Sequence, residues 1–395
     1  AQAHNLMAEL KYRQARFDEA QALTRKVIRE WSDSISSDEV ARAYHWSGMA
    51  AIPVLDYELA LTNLRKAEEI CLTTGNDKRL ARVLEGIAFV YYMQRDLKPA
   101  LVAMQQSVQL SRDFSTPVNI ASALNNIALV QFTLGQPEAA LATFDEAISL
   151  VRDTSRNFLA QVLGNKAEVL AYLGRFSEAL ASFEEARELF IAMDDESGMI
   201  EVNLLWGYEY SSLLNNWDDA RERFEEAQRL IELRPDDYPE EKARLMIGLG
   251  LLDLRSGSVE KATDILHRAE EMIEERSLAW WRPVVGYLRG LACLMQNRIS
   301  DAKQCFESAL AAVDQEGCPD YRPLILLELA QLELDPSKKL AYLEACVQTA
   351  QERARYVDRI KCLKEAGNLL IDCDEPHLRE LGTICLAKLE ELEAL

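Results

Sequence analysis

Apolar and small residues along this chain recur at helical spacing, and the whole pattern returns about every 40 residues. Its fixed point is an alanine inside a helical stretch: Ala20, Ala60, Ala100, Ala140, Ala179, Ala220, Ala262 and Ala302, with steps of 40, 40, 40, 39, 41, 42 and 40. Four residues after the anchor stands a larger, mostly apolar residue: Leu64, Met104, Phe144, Phe183, Phe224, Leu266 and Phe306, with Thr24 the exception. Three residues further stands a small one, such as Ala67, Ser107, Ala147 and Ala309, with Val27 in the first repeat. Spacings of four and three place all of these on one helical face. Twelve residues before the anchor comes another small residue: Ala8, Gly48, Ala88, Ala128, Ala167, Gly250 and Gly290; only Tyr208, which follows Gly207, departs. That residue belongs to a second helix, and its small size lets the first approach closely. Breaker and polar residues such as Gly135-Gln136-Pro137 and Ser256-Gly257-Ser258 separate the two. Each unit is therefore predicted to be a helix A, a turn and a helix B, and no segment alternates as a strand does.

Helix stops and N-caps fall between units, as at Ser36-Ser37-Asp38-Glu39, Thr74-Gly75-Asn76-Asp77 and Ser115-Thr116-Pro117. They divide residues 1–350 into repeats near 1–35, 36–75, 76–115, 116–154, 155–195, 196–236, 237–277, 278–318 and 319–350, and leave 351–395 as a degenerate repeat or capping helices. The ninth repeat is short, with Ala330 as its small residue and Tyr342 and Ala345 expected at the large and small positions of its helix B. The period alone also suits HEAT units; helical periodicity excludes a propeller.

Small, Ala, Phe and Ala at offsets 0, 12, 16 and 19 resemble the tetratricopeptide repeat, most clearly from Gly135 to Ala147 and from Gly174 to Ala186. The variant with units of about 40 residues is similar to the arrays of kinesin light chains, of Pins-type scaffolds, and of bacterial signalling proteins carrying a nucleotide-switch ATPase or caspase-like protease module. The resemblance implies an all-α solenoid, a right-handed superhelix of about nine or ten antiparallel helix pairs, with a concave groove lined by the A helices. Lining positions in that family lie about 18, 15, 11, 8 and 7 residues before the anchor. Carried onto this sequence they give Arg42 and His45; Arg82, Glu85, Phe89 and Tyr92; Asn125 and Phe132, with Asn126 adjacent; Glu168 and Tyr172, with Asn165 adjacent; then Glu209, Arg244 and Tyr287. Arginine, asparagine and aromatic residues are the types enriched at binding hot spots or able to bond a peptide backbone. Arg42 and Arg82 occupy equivalent positions on successive repeats. The remaining residues of a carboxylate clamp are not reproduced.

Composition narrows the function classes. With 65 acidic and 44 basic residues, the formal net charge is −21, which argues against nonspecific nucleic-acid binding and against attraction to anionic membranes. Acid either keeps an alanine-rich array soluble or marks a basic partner. No apolar run is long enough to span a membrane. The eight cysteines form no Cys-x-x-Cys pair and the four histidines are scattered, so no metal site is expected; buried free thiols in a cytoplasmic protein are. Trp280-Trp281 is expected to fill an inter-repeat joint or to offer an exposed patch. No phosphate loop, nucleophile elbow, zinc helix motif or dinucleotide fingerprint is present, so neither cofactor nor catalysis is expected. The expected activity is binding of a protein or peptide ligand in the groove. The chain opens within its first helix A, which suggests the sensor or recognition region of a larger bacterial signalling or defence protein, with an effector domain elsewhere in the parent. A free-standing scaffold joining two proteins, or a receptor for a short peptide or small molecule, stays open.

Overall fold

The computed structural model describes the backbone of residues 1–213, 216–316, 319–353, 356–371 and 376–393, and the side chains of these except 209–213, 316, 319, 353, 377 and 391–393. The described residues form α-helices joined by turns and three short 3-10 segments, without strands. The helices follow one another as antiparallel hairpins. The chain divides into two compact units, 1–162 and 163–395.

The first unit holds four hairpins: α1 (Gln2–Arg13) with α2 (Phe17–Trp31), α3 (Ser37–Ala51) with α4 (Tyr57–Thr74), α5 (Asp77–Met93) with α6 (Leu97–Ser111), and α7 (Pro117–Thr133) with α8 (Pro137–Val151). Next comes α9 (Arg156–Tyr172), which runs across the boundary. The second unit continues with α10 (Phe176–Met193), then α11 (Glu196–Leu213) with α12 (Trp217–Leu233), α13 (Pro239–Arg255) with α14 (Val259–Glu275), and α15 (Arg282–Met295) with α16 (Ile299–Glu316). It ends with α17 (Arg322–Leu332) beside α18 (Pro336–Arg353), and α19 (Tyr356–Ile371) beside α20 (Pro376–Glu393).

Local chemistry sets these bounds. Asp56, Asn76 and Thr116 cap α4, α5 and α7 by accepting from the backbone N–H of Leu59, Arg79 and Asn119 at 3.1, 3.1 and 3.3 Å. Five positions before seven of the eight anchors the A–B turn places a left-handed residue; the eighth such position, Asn215, lies outside the described residues. Gly135, Gly174 and Gly257 take that conformation without a Cβ penalty, whereas Ala15, Leu55, Arg95 and Asn297 adopt it despite their side chains. The tertiary packing of each hairpin offsets that local cost.

Every anchor alanine is buried, from Ala20 to Ala302. The glycines of helix A make the space that the large residue of helix B fills. A Cβ on Gly290 would stand 2.3 Å from the Phe306 ring, and one on Gly250 2.7 Å from Leu266. In the sixth repeat the space comes from Gly207 rather than the Tyr208 position, since a Cβ there would meet Phe224 at 2.6 Å. Thr24, the exception among the large residues, is also buried; its hydroxyl donates to the carbonyls of Ala20 and Gln21 at 3.1 and 3.0 Å.

The short ninth repeat differs from expectation. α17 ends at Leu332, and the residues of α18 that reach the core are Leu343, Cys346, Val347 and Ala350; Tyr342 and Ala345 are only partly covered. Loss of a helical turn from α17 brings α18 in one residue out of the expected register. The tenth hairpin keeps the spacing but inverts the sizes. Leu378 stands at the anchor and Gly382 four residues on, where a Cβ would meet the Ile371 nitrogen at 2.8 Å, so α19 and α20 pack backbone against backbone.

Candidate functional site

Within the first unit the A helices do not all pack alike. α1 lies on α3 and α3 on α5, but α5 and α7 scarcely touch. Between them opens a cavity of about 770 Å³, within the size range of ligand sites. Lys78, Arg82, Glu85, Phe89 and Tyr92 form a single stripe down α5 at spacings of four and three. Facing it on α7 are Asn119, Ser122, Asn126, Leu129 and Thr133, at the same alternation. The floor is α6, through Met104, Ser107, Val108 and Ser111.

The floor departs from the repeat pattern. Where most repeats place leucine or phenylalanine, the third has Met104, which is only partly covered because it faces the opening. Alanine at the next small position is replaced by Ser107, whose hydroxyl donates to the Ala81 carbonyl at 2.9 Å. Methionine is flexible and smaller than the phenylalanine that four other repeats carry at this position.

Electrostatically the two ends differ. Lys78 and Arg82, exposed and one turn apart, make no ion pair among the described residues, although the chain carries a net charge of −21. Beside them lie the N-termini of α5 and α7, each with partial positive charge. At the opposite end Phe89 and Tyr92 are each 44% exposed, unusual for aromatic side chains with a core available. Midway, the Glu85 carboxylate accepts from Ser107 Oγ at 3.4 Å. Removal of water from its carboxyl raises its pKa, with the Ser107 hydrogen bond and the Arg82 charge acting in the opposite sense.

The remaining sequence-derived residues are distributed otherwise. Arg42 donates to Glu9 at 2.9 Å and is largely covered, so it is engaged within the fold while its counterpart Arg82 is not. His45 is buried against Trp46 at a ring separation of 5.0 Å; burial, and then the charges of Arg79, Arg82 and Arg42, drive its pKa from 6.5 to about 3. A neutral, buried imidazole is a core residue and presents nothing to a ligand. Asn125 and Phe132 are partly covered on α7, while Asn126 faces the cavity. Asn165 and Glu168 are partly covered on α9, and Tyr172 is buried there. Glu209 lies outside the residues whose side chains are described. Arg244 is buried, paired with Glu201 at 2.6 Å and stacked 5.7 Å over Trp281. Tyr287 is buried between Phe306 and Tyr321. Trp281 fills a joint beside Tyr208, while Trp280 stays 47% exposed.

One register changes character along the chain. Fifteen residues before the anchor, the first four repeats carry Asn5, His45, Glu85 and Asn125, all polar, and the fifth carries Gly164, where a Cβ would meet nothing within 4 Å. The corresponding register of the later repeats carries Leu205, Ile247, Tyr287, Leu327 and Leu363. An apolar residue there closes the space between A helices; a polar one keeps it hydrated or needs a specific partner, as Asn5 finds in Glu39 at 2.7 Å. Helix-A spacing alone missed the floor residues Met104, Ser107 and Ser111. Their departure from the repeat consensus was the available signal.

No cluster of three or more histidine, cysteine or acidic residues able to hold a metal occurs among the described residues. Six cysteines are free thiols; Cys318 and Cys373 lie outside the described residues. Among the described residues no helix is long and apolar enough to cross a membrane.

Comparison with known proteins agrees with this architecture. The family model of the tetratricopeptide repeat matches residues 119–192. A Rap protein complexed with competence and sporulation factor aligns over 99% of this chain and 97% of its own, with a TM-score of 0.56 and 12% identity. The apo form of RapI aligns over 69% of this chain and 98% of its own, with a TM-score of 0.54 and 15% identity. No curated protein matches the sequence. Residues 119–192 are thus tetratricopeptide repeats, and with the same core pattern in the hairpins on either side the chain is a tetratricopeptide-type helical array.

Proposed function

We propose that this chain binds a peptide, or an extended segment of a protein, in the cavity between α5 and α7, and acts by that binding without chemistry of its own. The observation that carries the reading is the cavity itself. Its floor carries Met104 and Ser107 where other repeats carry leucine or phenylalanine and alanine, and it exposes two aromatic rings at one end and two cations without ion pairs at the other. An array of packed hairpins gains nothing in stability from such a gap, since unfilled space between helices forfeits burial and dispersion. The solved Rap protein complex supports a binding role, because a chain of the same fold over nearly this whole length was crystallised with competence and sporulation factor. In this reading the array is the sensor or recognition region of a larger cytoplasmic signalling or defence protein, and the free thiols fit a reducing compartment.

Met104→Phe restores the consensus side chain and fills the cavity floor. Selection from a displayed heptapeptide library on the native chain, repeated on the variant, tests the reading. Enrichment on the native chain, lost on a Met104→Phe chain of unchanged helical circular dichroism, is the expected result. Equal enrichment on both chains places binding elsewhere and overturns the assignment to this cavity.

A further inference from the structure

The cavity is polarised along its length, and we infer that it selects peptides carrying an acidic residue and a large apolar residue about five positions apart, with the acidic residue lying against Lys78 and Arg82. This rests on the peptide-binding reading above and adds the chemistry and placement of the ligand.

Charge complementarity fixes one end. Lys78 and Arg82 project from the same face of α5 into the opening, and neither is held in a contact ion pair among the described residues, Arg82 sensing only the Glu85 charge one turn on. In contrast, Arg79, between them in sequence, is bound by Asp38 at 2.5 Å, and Arg42, one repeat earlier, by Glu9 at 2.9 Å. The chain's abundant acid therefore satisfies the neighbouring arginines and leaves these two cations for something else. Asn119, on the first turn of α7, stands across the opening from them, and the partial positive charges of the two helix N-termini reinforce the preference for an anion.

The other end takes apolar surface. Phe89 and Tyr92 on α5 and Leu129 on α7 converge over Met104, an opening suited to an aromatic or branched aliphatic side chain. Glu85 confines acid to the first end, because a second carboxylate at mid-groove would meet its charge.

Length follows from helix rise. From the midpoint of Lys78 and Arg82 to that of Phe89 and Tyr92 is about ten residues of α5, roughly 16 Å at the α-helical rise. An extended peptide advances about 3.3–3.6 Å per residue, so roughly five residues cover that distance. The full stripe from Lys78 to Tyr92 spans about 21 Å and holds about six residues.

The test is a random heptapeptide library selected on the native chain and on the Lys78→Glu/Arg82→Glu chain, followed by fluorescence anisotropy of the enriched sequences. On the native chain, enriched peptides should pair Asp or Glu with Phe, Leu or Tyr four to six positions away. The double reversal should weaken these peptides by about tenfold or more, since two attractive rim charges become repulsive, and should shift enrichment to lysine and arginine. Binding to the native chain should weaken with added salt. The neutral Lys78→Gln/Arg82→Gln chain should fall between the two, which separates charge from misfolding. Enrichment without acid, or affinity unmoved by the reversal, overturns the polarity and leaves the peptide-binding reading standing. No enrichment on the native chain overturns both.

Discussion

Acidification should loosen the first unit through a single side chain, His45. Its imidazole is buried beside Trp46 and faces the cations of Arg79, Arg82 and Arg42, which together hold its pKa near 3 instead of 6.5. A depressed folded-state pKa means that the unfolded chain takes up the proton first. The contribution of His45 is thus fully present above about pH 6.5 and is lost as pH falls toward 3. Between pH 7.5 and 5.0 the unfolded state gains most of one proton that the folded state refuses, which costs about 2 kcal/mol at 1.36 kcal/mol per pK unit. In His45→Phe the ring stays in the slot against Trp46 but cannot be charged. Native-state hydrogen exchange of α3 amides, with urea as the perturbant, reads the local opening free energy at both pH values. The native chain should lose about 2 kcal/mol in α3 on acidification, and His45→Phe should lose much less. The same pH slope in both chains would refute the reasoning, because other groups would then account for it. Glu85 acts in the opposite sense: its raised pKa makes the folded state slightly more favourable as pH falls, so Glu85→Gln in the same assay should steepen the native chain's loss.

Two further predictions concern the second unit. Gly290→Ala should destabilise α15 and α16 by about 1–2 kcal/mol, because overpacking against a rigid ring outweighs the better helix propensity of alanine; the added Cβ would stand 2.3 Å from Phe306. Phe306→Leu should cost less in that background than in the native chain, and strict additivity in a urea double-mutant cycle would count against direct contact. At the α17–α18 junction, Glu333 accepts from the backbone N–H of Asp335 and Leu334 and from Lys303 at 3.1, 2.9 and 2.9 Å, which lowers its pKa from 4.5 to about 2. Its contribution is present above pH 4.5 and is lost as pH falls toward 2, so Glu333→Gln should remove that part of the acid sensitivity seen by exchange in α18.

Most of the fold was legible because repetition reports it many times over. A helix face shows in one period, and the offset of 16 residues between Gly290 and Phe306 recurs as Gly48 with Leu64 and Gly250 with Leu266. One repeat can deviate without hiding the pattern, as Thr24 and Tyr208 do. The register slip at Leu343 and Cys346 was not legible, because a shortened α17 changes the angle of entry of the next helix and no residue marks that change.

The candidate site was legible only in part. Sequence placed Arg42, Arg82, Arg244 and Tyr287 on equivalent helix faces, and the structure gives them different roles. Arg82 lies at a cavity rim without a contact ion pair, Arg42 and Arg244 are tied to Glu9 and Glu201, and Tyr287 lies in the core. Spacing along a helix determines which face a side chain shares, and this sequence determined that by itself: helix pairs, anchors, and a candidate inner row. Whether that row meets solvent depends on the distance to the next A helix. That distance depends on how the side chains of neighbouring helices pack, among them Met104 and Ser107 on α6 and the polar residues Asn5, His45, Glu85 and Asn125. Packing between elements is a sum over many such volumes, and only the tertiary structure evaluates it.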